Sequence, residues 1–360
     1  TYFRAKFANS ETDYKAFEKE YHYEMYRREP MRQHFGDFRE QAVLYNRLKN
    51  EIQYFAKLYQ ELRSDYSPSR EYLLYNKLLE QNQQYLLIMS AIEFNDPQKE
   101  QKIKTISSKF DQLHVVLRVL GLYDSNAFQG VIYHLNKELR NKSEPECRLI
   151  FDELLINTLK EKERLEADFE GTIADIFTYE RFKGVRNAST NFTKYLLMRI
   201  DRWLAQLLDK PSYCSDTAIG VEERFNKTNR KRYGMHLEHI YAYNEPNRTL
   251  FKDPDTGLFD ESAFEQTRNL LGMVLLLKDS QNLSSNNDIY QDKRDDYQKS
   301  DIIWNQLLSG HLPSVDIKHL PPEFLAADIL PDETGSFPRD KVDQRQRLVF
   351  EALKIIWANV

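Results

Sequence analysis

From about residue 10 to residue 210 apolar side chains recur at alternating spacings of three and four, with few glycine or proline interruptions. An α-helix is the element that brings this period onto one face, so this half of the chain is constrained to be a helical array. In FREQAVLYNRLKNEIQYFAKLYQEL the stripe Phe38, Ala42, Tyr45, Leu48, Ile52, Phe55, Tyr59 and Leu62 predicts one continuous helix with those residues in the core. A second helix is predicted from Ser67–Ser69, around Pro68, to the FNDPQ stop, because proline suits a first turn and ends a later one. Further amphipathic stretches fall at about 98–120, 126–142, 146–167 and 189–209.

The pattern fails at DKPSYCSDTAIGVEE (209–223), where small and turn-prone residues cluster and a domain boundary is expected. Two short apolar runs then read as strands, MHLEHIYAY (235–243) and LLGMVLLL (270–277). A loop over 244–261 and a short helix near 261–269 lie between them, and the polar turn KDSQNLSSNN leads into a helix over DIYQDKRDDYQKS. Strand, loop, strand, turn and helix make a small ββα unit. Five prolines (Pro313, Pro321, Pro322, Pro331, Pro338) make the tail irregular before a closing amphipathic helix, DQRQRLVFEALKIIWANV. The expected class is mainly α, with a helical domain over 1–210 and a ββα unit over 211–310. The tail and closing helix over 311–360 are expected to pack on that unit.

With 360 residues, 41% of them hydrophobic, the chain can fill more than one core. No run approaches the roughly 20 apolar residues of a membrane span, and no charged-then-apolar leader opens the chain. The reading is a soluble cytoplasmic protein with no membrane partner. Cys147 and Cys214 are too few for a disulfide framework or a four-thiolate zinc site, which fits a reducing compartment. The Asn-x-Ser/Thr triplets at Asn141, Asn187, Asn191, Asn226 and Asn247 would matter only in a secreted protein. A net charge of -5 gives no overall attraction to nucleic acid, so any such affinity must be local. The opening at Thr1 falls inside a helical pattern, and the chain is read as part of a longer polypeptide.

One constellation carries chemistry. A simple phosphodiester hydrolase needs a base for water and a divalent cation for the developing charge. Glu238 and His239 are adjacent on a predicted strand, where neighbouring side chains face opposite ways, so they can share a site only where the strand ends or bends. Asn282, at the mouth of the following helix, is then a natural second oxygen ligand for Mg²⁺ or Mn²⁺, which keeps several waters. His236 is read as packing or hydrogen-bonding beside them.

These residues carry a resemblance. Glu238, His239 and Ile240, then Leu271, Gly272, Leu275 and Leu276, then Asn282, Asn287, Tyr290, Lys293 and Tyr297 follow a multi-part spacing. In it the chain resembles the His-Me finger (HNH-type) nuclease domain at the C-terminus of GmrSD-type modification-dependent restriction enzymes. The likeness extends more weakly to NFTKYLLMRIDRWLAQL and to RQRLVFEALKIIW, so that it covers about 190–360. It implies that His239 is the general base and that Glu238 and Asn282 hold the metal. Asn287 and Lys293 are then expected to shape the helix turn or contact phosphate, and Tyr290 to support the site. It also implies DNA as the substrate, including modified phage DNA in bacterial defence, and a nucleotide-binding sensor domain upstream or in a partner polypeptide. The sensor's Asp-Gly-Gln-Gln-Arg motif is absent from this sequence. One departure stands out: the family's second-strand Asn, which steadies the catalytic loop, is Met273 here, so Asn269 or another neighbour must take its place or activity falls.

The run RFNKTNRKRYG adds Arg224, Lys227, Arg230, Lys231 and Arg232 just before the His239 strand, a candidate phosphate clamp of no sequence preference. Basic runs are more often a solvated face, and a lone strand histidine is more often structural than catalytic. The alternative to a metal-dependent DNA endonuclease is therefore a degenerate nuclease fold used as a helical interaction or regulatory module, with RNA-directed cleavage as a third reading.

Overall fold

The N-terminal half is helical, as its spacing predicts, and includes α1 over Tyr2–Lys6, α2 over Gln53–Ser64, α3 over Gln83–Ala91, α4 over Lys99–Val119 and α5 over Glu144–Glu161. This computed structural model describes residues 1–27, 29, 31–36, 41–64, 67–187, 189–213, 235–278, 288–330 and 335–360. The chain divides into two compact units, residues 1–169 with Val360 and residues 170–359. In the first, α4 runs through the middle, with α3 and α5 packed on it. Ile103, Ile106, Phe110 and Leu113 of α4 are buried with Leu87, Ile88, Phe151 and Leu155. Each such side chain contributes about 1.5–3 kcal/mol on burial.

Two helices differ from the periodic reading. The stripe from Phe38 to Leu62 is interrupted by a π turn over Leu48–Ile52. A π turn holds more residues than an α turn, so the apolar face rotates there. Beyond it Phe55, Leu58 and Leu62 are buried, whereas Ala42 and Tyr45 are exposed and Phe38 lies outside the described residues. The second predicted helix is broken between Leu78 and Gln83, with Glu80 at φ 60°. Two buried amides brace the break: Asn76 Nδ2 donates to Gln84 Oε1 at 3.0 Å and Gln84 Nε2 to the Leu73 carbonyl at 2.9 Å.

The second unit holds α6 over Thr190–Leu207, β1 over Met235–His239, α7 over Glu261–Arg268 and β2 over Val274–Lys278. It continues with α8 over Tyr290–Gln298, α9 over Ile303–Leu308 and α10 over Val342–Trp357. The strands pair antiparallel, from Met235 opposite Lys278 to His239 opposite Val274. The class is mainly α, as expected, with a two-stranded sheet among the described residues. The helix α6, assigned to the helical half on periodicity, lies in the C-terminal unit, where it packs on both strands and on α10. An amphipathic period reveals that a helix has a partner but not which partner. Most of the expected boundary near 210, from residue 214 onward, lies outside the described residues. Among the described residues no helix is long and apolar enough to cross a membrane.

Both strands are shorter than their apolar runs. Ahead of β2, Leu271–Met273 form a 3₁₀ turn pressed against α10. Gly272 permits that approach, since a Cβ there would sit 2.7 Å from the Gln346 backbone nitrogen. The seam is sealed by Gln346, whose Oε1 accepts from the Gly272 N–H at 2.7 Å and whose Nε2 donates to the Val185 carbonyl at 2.9 Å. Arg345, fully buried, donates to the Gly272 carbonyl at 3.0 Å and to that of Leu308 at 3.2 Å.

Candidate active site

β1 ends at His239, and its last rung to the second strand is the Ile240 N–H to the Met273 carbonyl at 3.0 Å. The chain then bends, and Asn244 accepts from the Asn247 N–H at 2.9 Å to start a one-turn helix over Glu245–Thr249. The strand alternation holds through this end: Glu238 points to the opposite side from His239, toward α8. The two functional candidates are therefore joined by their backbone and served by different neighbours.

On the Glu238 side the neighbour is Lys293, in the first turn of α8. Its Nζ forms an ion pair with Glu238 Oε1 and donates to the His239 carbonyl at 3.2 Å. Lys293 is 1% exposed and Glu238 6%. Lys293, expected at phosphate, thus sits in the interior, because the carboxylate it neutralises is itself buried. Burial holds the Glu238 carboxyl above its ordinary value, against the pull of Lys293 and Arg268. One turn along α8, the Tyr297 hydroxyl is buried with no hydrogen-bond partner among the described residues, and burial and the Glu238 charge both keep its proton on. Tyr290 is buried at the head of the helix, donating to the Leu308 carbonyl at 3.3 Å and set edge-on to Phe337 with ring centres 5.1 Å apart. His236, half-buried, lies on the Glu238 side of the strand and opposite Leu277.

On the His239 side the neighbours come from the end of α7. Asp260 caps the start of that helix through the Ala263 N–H at 2.9 Å, and Asn269 follows its last residue. His239 Nε2 lies 3.2 Å from Asn269 Oδ1. Burial, with the Arg268 cation beside it, lowers the half-buried His239 imidazole to about 4. The ring is therefore neutral at pH 7 and has a lone pair with which to take a proton. Arg268 is fixed by its own bond to the Tyr241 carbonyl at 2.8 Å and lies 4.5 Å from the centre of the exposed Tyr243 ring.

The expected ligand Asn282, the turn residue Asn287 and the basic residues Arg224, Lys227, Arg230, Lys231 and Arg232 lie outside the described residues. Among the described residues, no group of three or more His, Cys, Asp or Glu side chains could hold a metal ion. Glu238 nevertheless has the hard oxygen that Mg²⁺ prefers, and that ion needs only one or two carboxylates. The Tyr297 hydroxyl, with no partner among the described residues, feels the same charge. The donor chemistry fits a hydrated divalent ion on condition that Lys293 gives up its place on the carboxylate.

Met273, in the position of the family's Asn, is completely buried and makes its rung to Ile240 through its backbone alone. Glu265, Arg268 and Arg345 were not singled out from sequence. For Glu265 a signal existed in its spacing of four from Asn269, which puts both on one helix face. Nothing in an amphipathic closing helix distinguished Arg345.

Residues 179–351 match the family model described as GmrSD restriction endonucleases, C-terminal domain. No curated protein matches the chain.

Proposed function

We propose, from the premise that residues 179–351 are a GmrSD-type restriction-endonuclease C-terminal domain, that the chain is an HNH-type, metal-dependent DNA endonuclease. The observation that carries the reading is the strand end at His239, a neutral imidazole beside a fixed cation and backbone-linked to a buried carboxylate. In this reading His239 takes the proton of the attacking water, and the Arg268 cation beside it would attract the phosphate. Glu238 and Asn282 would hold Mg²⁺ or Mn²⁺, which neutralises charge on the phosphate and the leaving oxygen. Arg224, Lys227, Arg230, Lys231 and Arg232 supply phosphate contacts of no sequence preference. The biological substrate is DNA, including modified phage DNA in the cytoplasm of a bacterium, with target sensing by a nucleotide-binding domain in the same or a partner polypeptide.

Supercoiled-plasmid cleavage with Mg²⁺, Mn²⁺ or EDTA tests the reading. Metal-dependent nicking is expected, and His239→Ala should lower it by roughly 10²–10⁴-fold while leaving the thermal transition in place. Undiminished nicking by His239→Ala removes the assignment. The Lys293–Glu238 pair and Met273 favour a second reading, a degenerate fold serving as an interaction module. A chain of that kind neither cleaves nor gains thermal stability from Mg²⁺ or Mn²⁺, whereas a ligated site is stabilised by mass action.

A further inference from the structure

We propose that Asn269 is the positioning residue of His239, holding the imidazole as its Nε2–H tautomer and leaving Nδ1 as the bare nitrogen that receives the proton. This rests on the reading of His239 as the general base. The orientation of the Asn269 amide is set by its other contacts. Its Nδ2 donates to the Glu265 main-chain carbonyl at 2.8 Å and to Glu265 Oε2 at 3.1 Å. Both partners are acceptors, so the amide nitrogen faces them and Oδ1 faces the ring, 3.2 Å from Nε2. An amide oxygen accepts and cannot donate, so the ring nitrogen opposite it carries the hydrogen. A neutral imidazole has a single N–H, and the lone pair is therefore on Nδ1.

Glu265 is held in turn. Its Oε1 accepts from the Tyr243 hydroxyl, so the carboxylate bridges Tyr243 and Asn269. Glu265 and Asn269 are one turn apart at the end of α7, and the Asn269 carbonyl accepts from the Asn187 N–H at 2.8 Å, which anchors the helix end. Met273 has no group that could perform this task, and Asn269 precedes it by one short turn. Asn269 thus orients the ring from the end of the helix that leads into the second strand, a task distinct from the loop-steadying that the resemblance assigns to an asparagine at position 273.

Histidine-selective ¹⁵N labelling of the full chain reads the tautomer directly, with His239→Gln identifying the resonances. The expected wild-type spectrum has a protonated Nε2 and a bare Nδ1 at His239. Asn269→Leu should convert it to a tautomer mixture and lower the nicking kcat by about 10–100-fold, as misplacement of a reacting group does. KM should stay within about two-fold, because the lost contact acts on the reacting state and not on DNA binding. Asn269→Asp alone loses both donations to Glu265, but combined with Glu265→Gln, whose amide can donate to the new carboxylate, it keeps an acceptor oxygen at the ring and should recover the Nε2–H form and most of the rate. A wild-type ring protonated on Nδ1, or an unchanged tautomer in Asn269→Leu, overturns the positioning role even if His239 is essential. Full nicking by His239→Ala overturns the base reading, and with it the proton-transfer half of the proposal, whatever the tautomer.

Discussion

Each unit of the molecule buries a lysine against a carboxylate, and the two pairs are built differently. In the helical unit Lys102 Nζ lies 2.7 Å from Asp96 Oδ2, with side chains 5% and 4% exposed. In the C-terminal unit Lys293 meets Glu238 under similar cover. Asp96 also accepts from the Glu93 N–H at 3.1 Å and from the Gln98 N–H at 2.8 Å. Burial raises its carboxyl, but Lys102 and those two backbone donors outweigh it, and the result lies below the usual carboxylate range. For Glu238 burial wins and the carboxyl is raised. A carboxylate with several donors keeps its charge readily, whereas burial with fewer donors disfavours the charged form.

The histidines repeat the contrast. Burial and Arg118 push His114 of the helical unit down to about 3, and burial and Arg268 push His239 down to about 4. His114 is wholly buried inside α4 and against the Tyr123 ring. His239 is half-buried at a strand end. A lowered value is thus common to both units, and access separates the base candidate from the core residue.

The largest expected effect comes from splitting the C-terminal pair. Lys293→Met leaves a buried carboxylate alone and should cost about 3–5 kcal/mol in urea unfolding. Adding Glu238→Gln should return most of that, and a double variant no more stable than the single one would mean that the ion pair is not the source. The same cycle at Lys102 and Asp96 should recover less, because Asn in place of Asp96 cannot satisfy both backbone donors as well.

A smaller effect is expected at the seam between the 3₁₀ turn and α10. Gly272→Ala places a Cβ 2.7 Å from the Gln346 nitrogen and 2.9 Å from the Arg345 carbonyl carbon, all backbone that cannot swing away. Overpacking of this kind costs about 1–3 kcal/mol, and a denaturation midpoint equal to wild type would show that α10 can retreat.

The effect that is smallest at neutral pH is the pH dependence. His239 stays neutral in the folded unit down to about 4, whereas in the unfolded chain it takes its proton near 6.5. Between these values the unfolded chain binds the extra proton, so stability falls as pH drops from 6.5 toward 4 and is unaffected by this group above 6.5. The slope from one residue is at most about 1.4 kcal/mol per pH unit. His239→Gln should flatten this part of the profile, and His114→Gln should flatten the share belonging to the helical unit, whose window extends to about 3. An acid limb of nicking activity near 6.5 instead of 4 would show that the ring is more solvated than its surroundings indicate.

Features that depend on neighbours along the chain were readable from the amino acids alone. The spacing of apolar residues fixed the helices over Lys99–Val119, Glu144–Glu161 and Thr190–Leu207, because a helix needs only its own period and a face to bury. Apolar runs marked both strands, although the first run overshot the strand end at His239, and Glu238, His239 and Lys293 were named as candidates through the resemblance. Features that depend on residues far apart in sequence emerged only on folding. Lys293 turned inward because Glu238, 55 residues earlier, was buried and needed a countercharge. Asn269 met the His239 ring across 30 residues, and Gln346 met Gly272 across 74. A π turn moved the face of an otherwise regular stripe, and α6 took its partners from the strands that follow it. Local period records which face of an element must be covered; the identity of the cover, and so the charge and tautomer of each candidate side chain, is set only when the chain closes on itself.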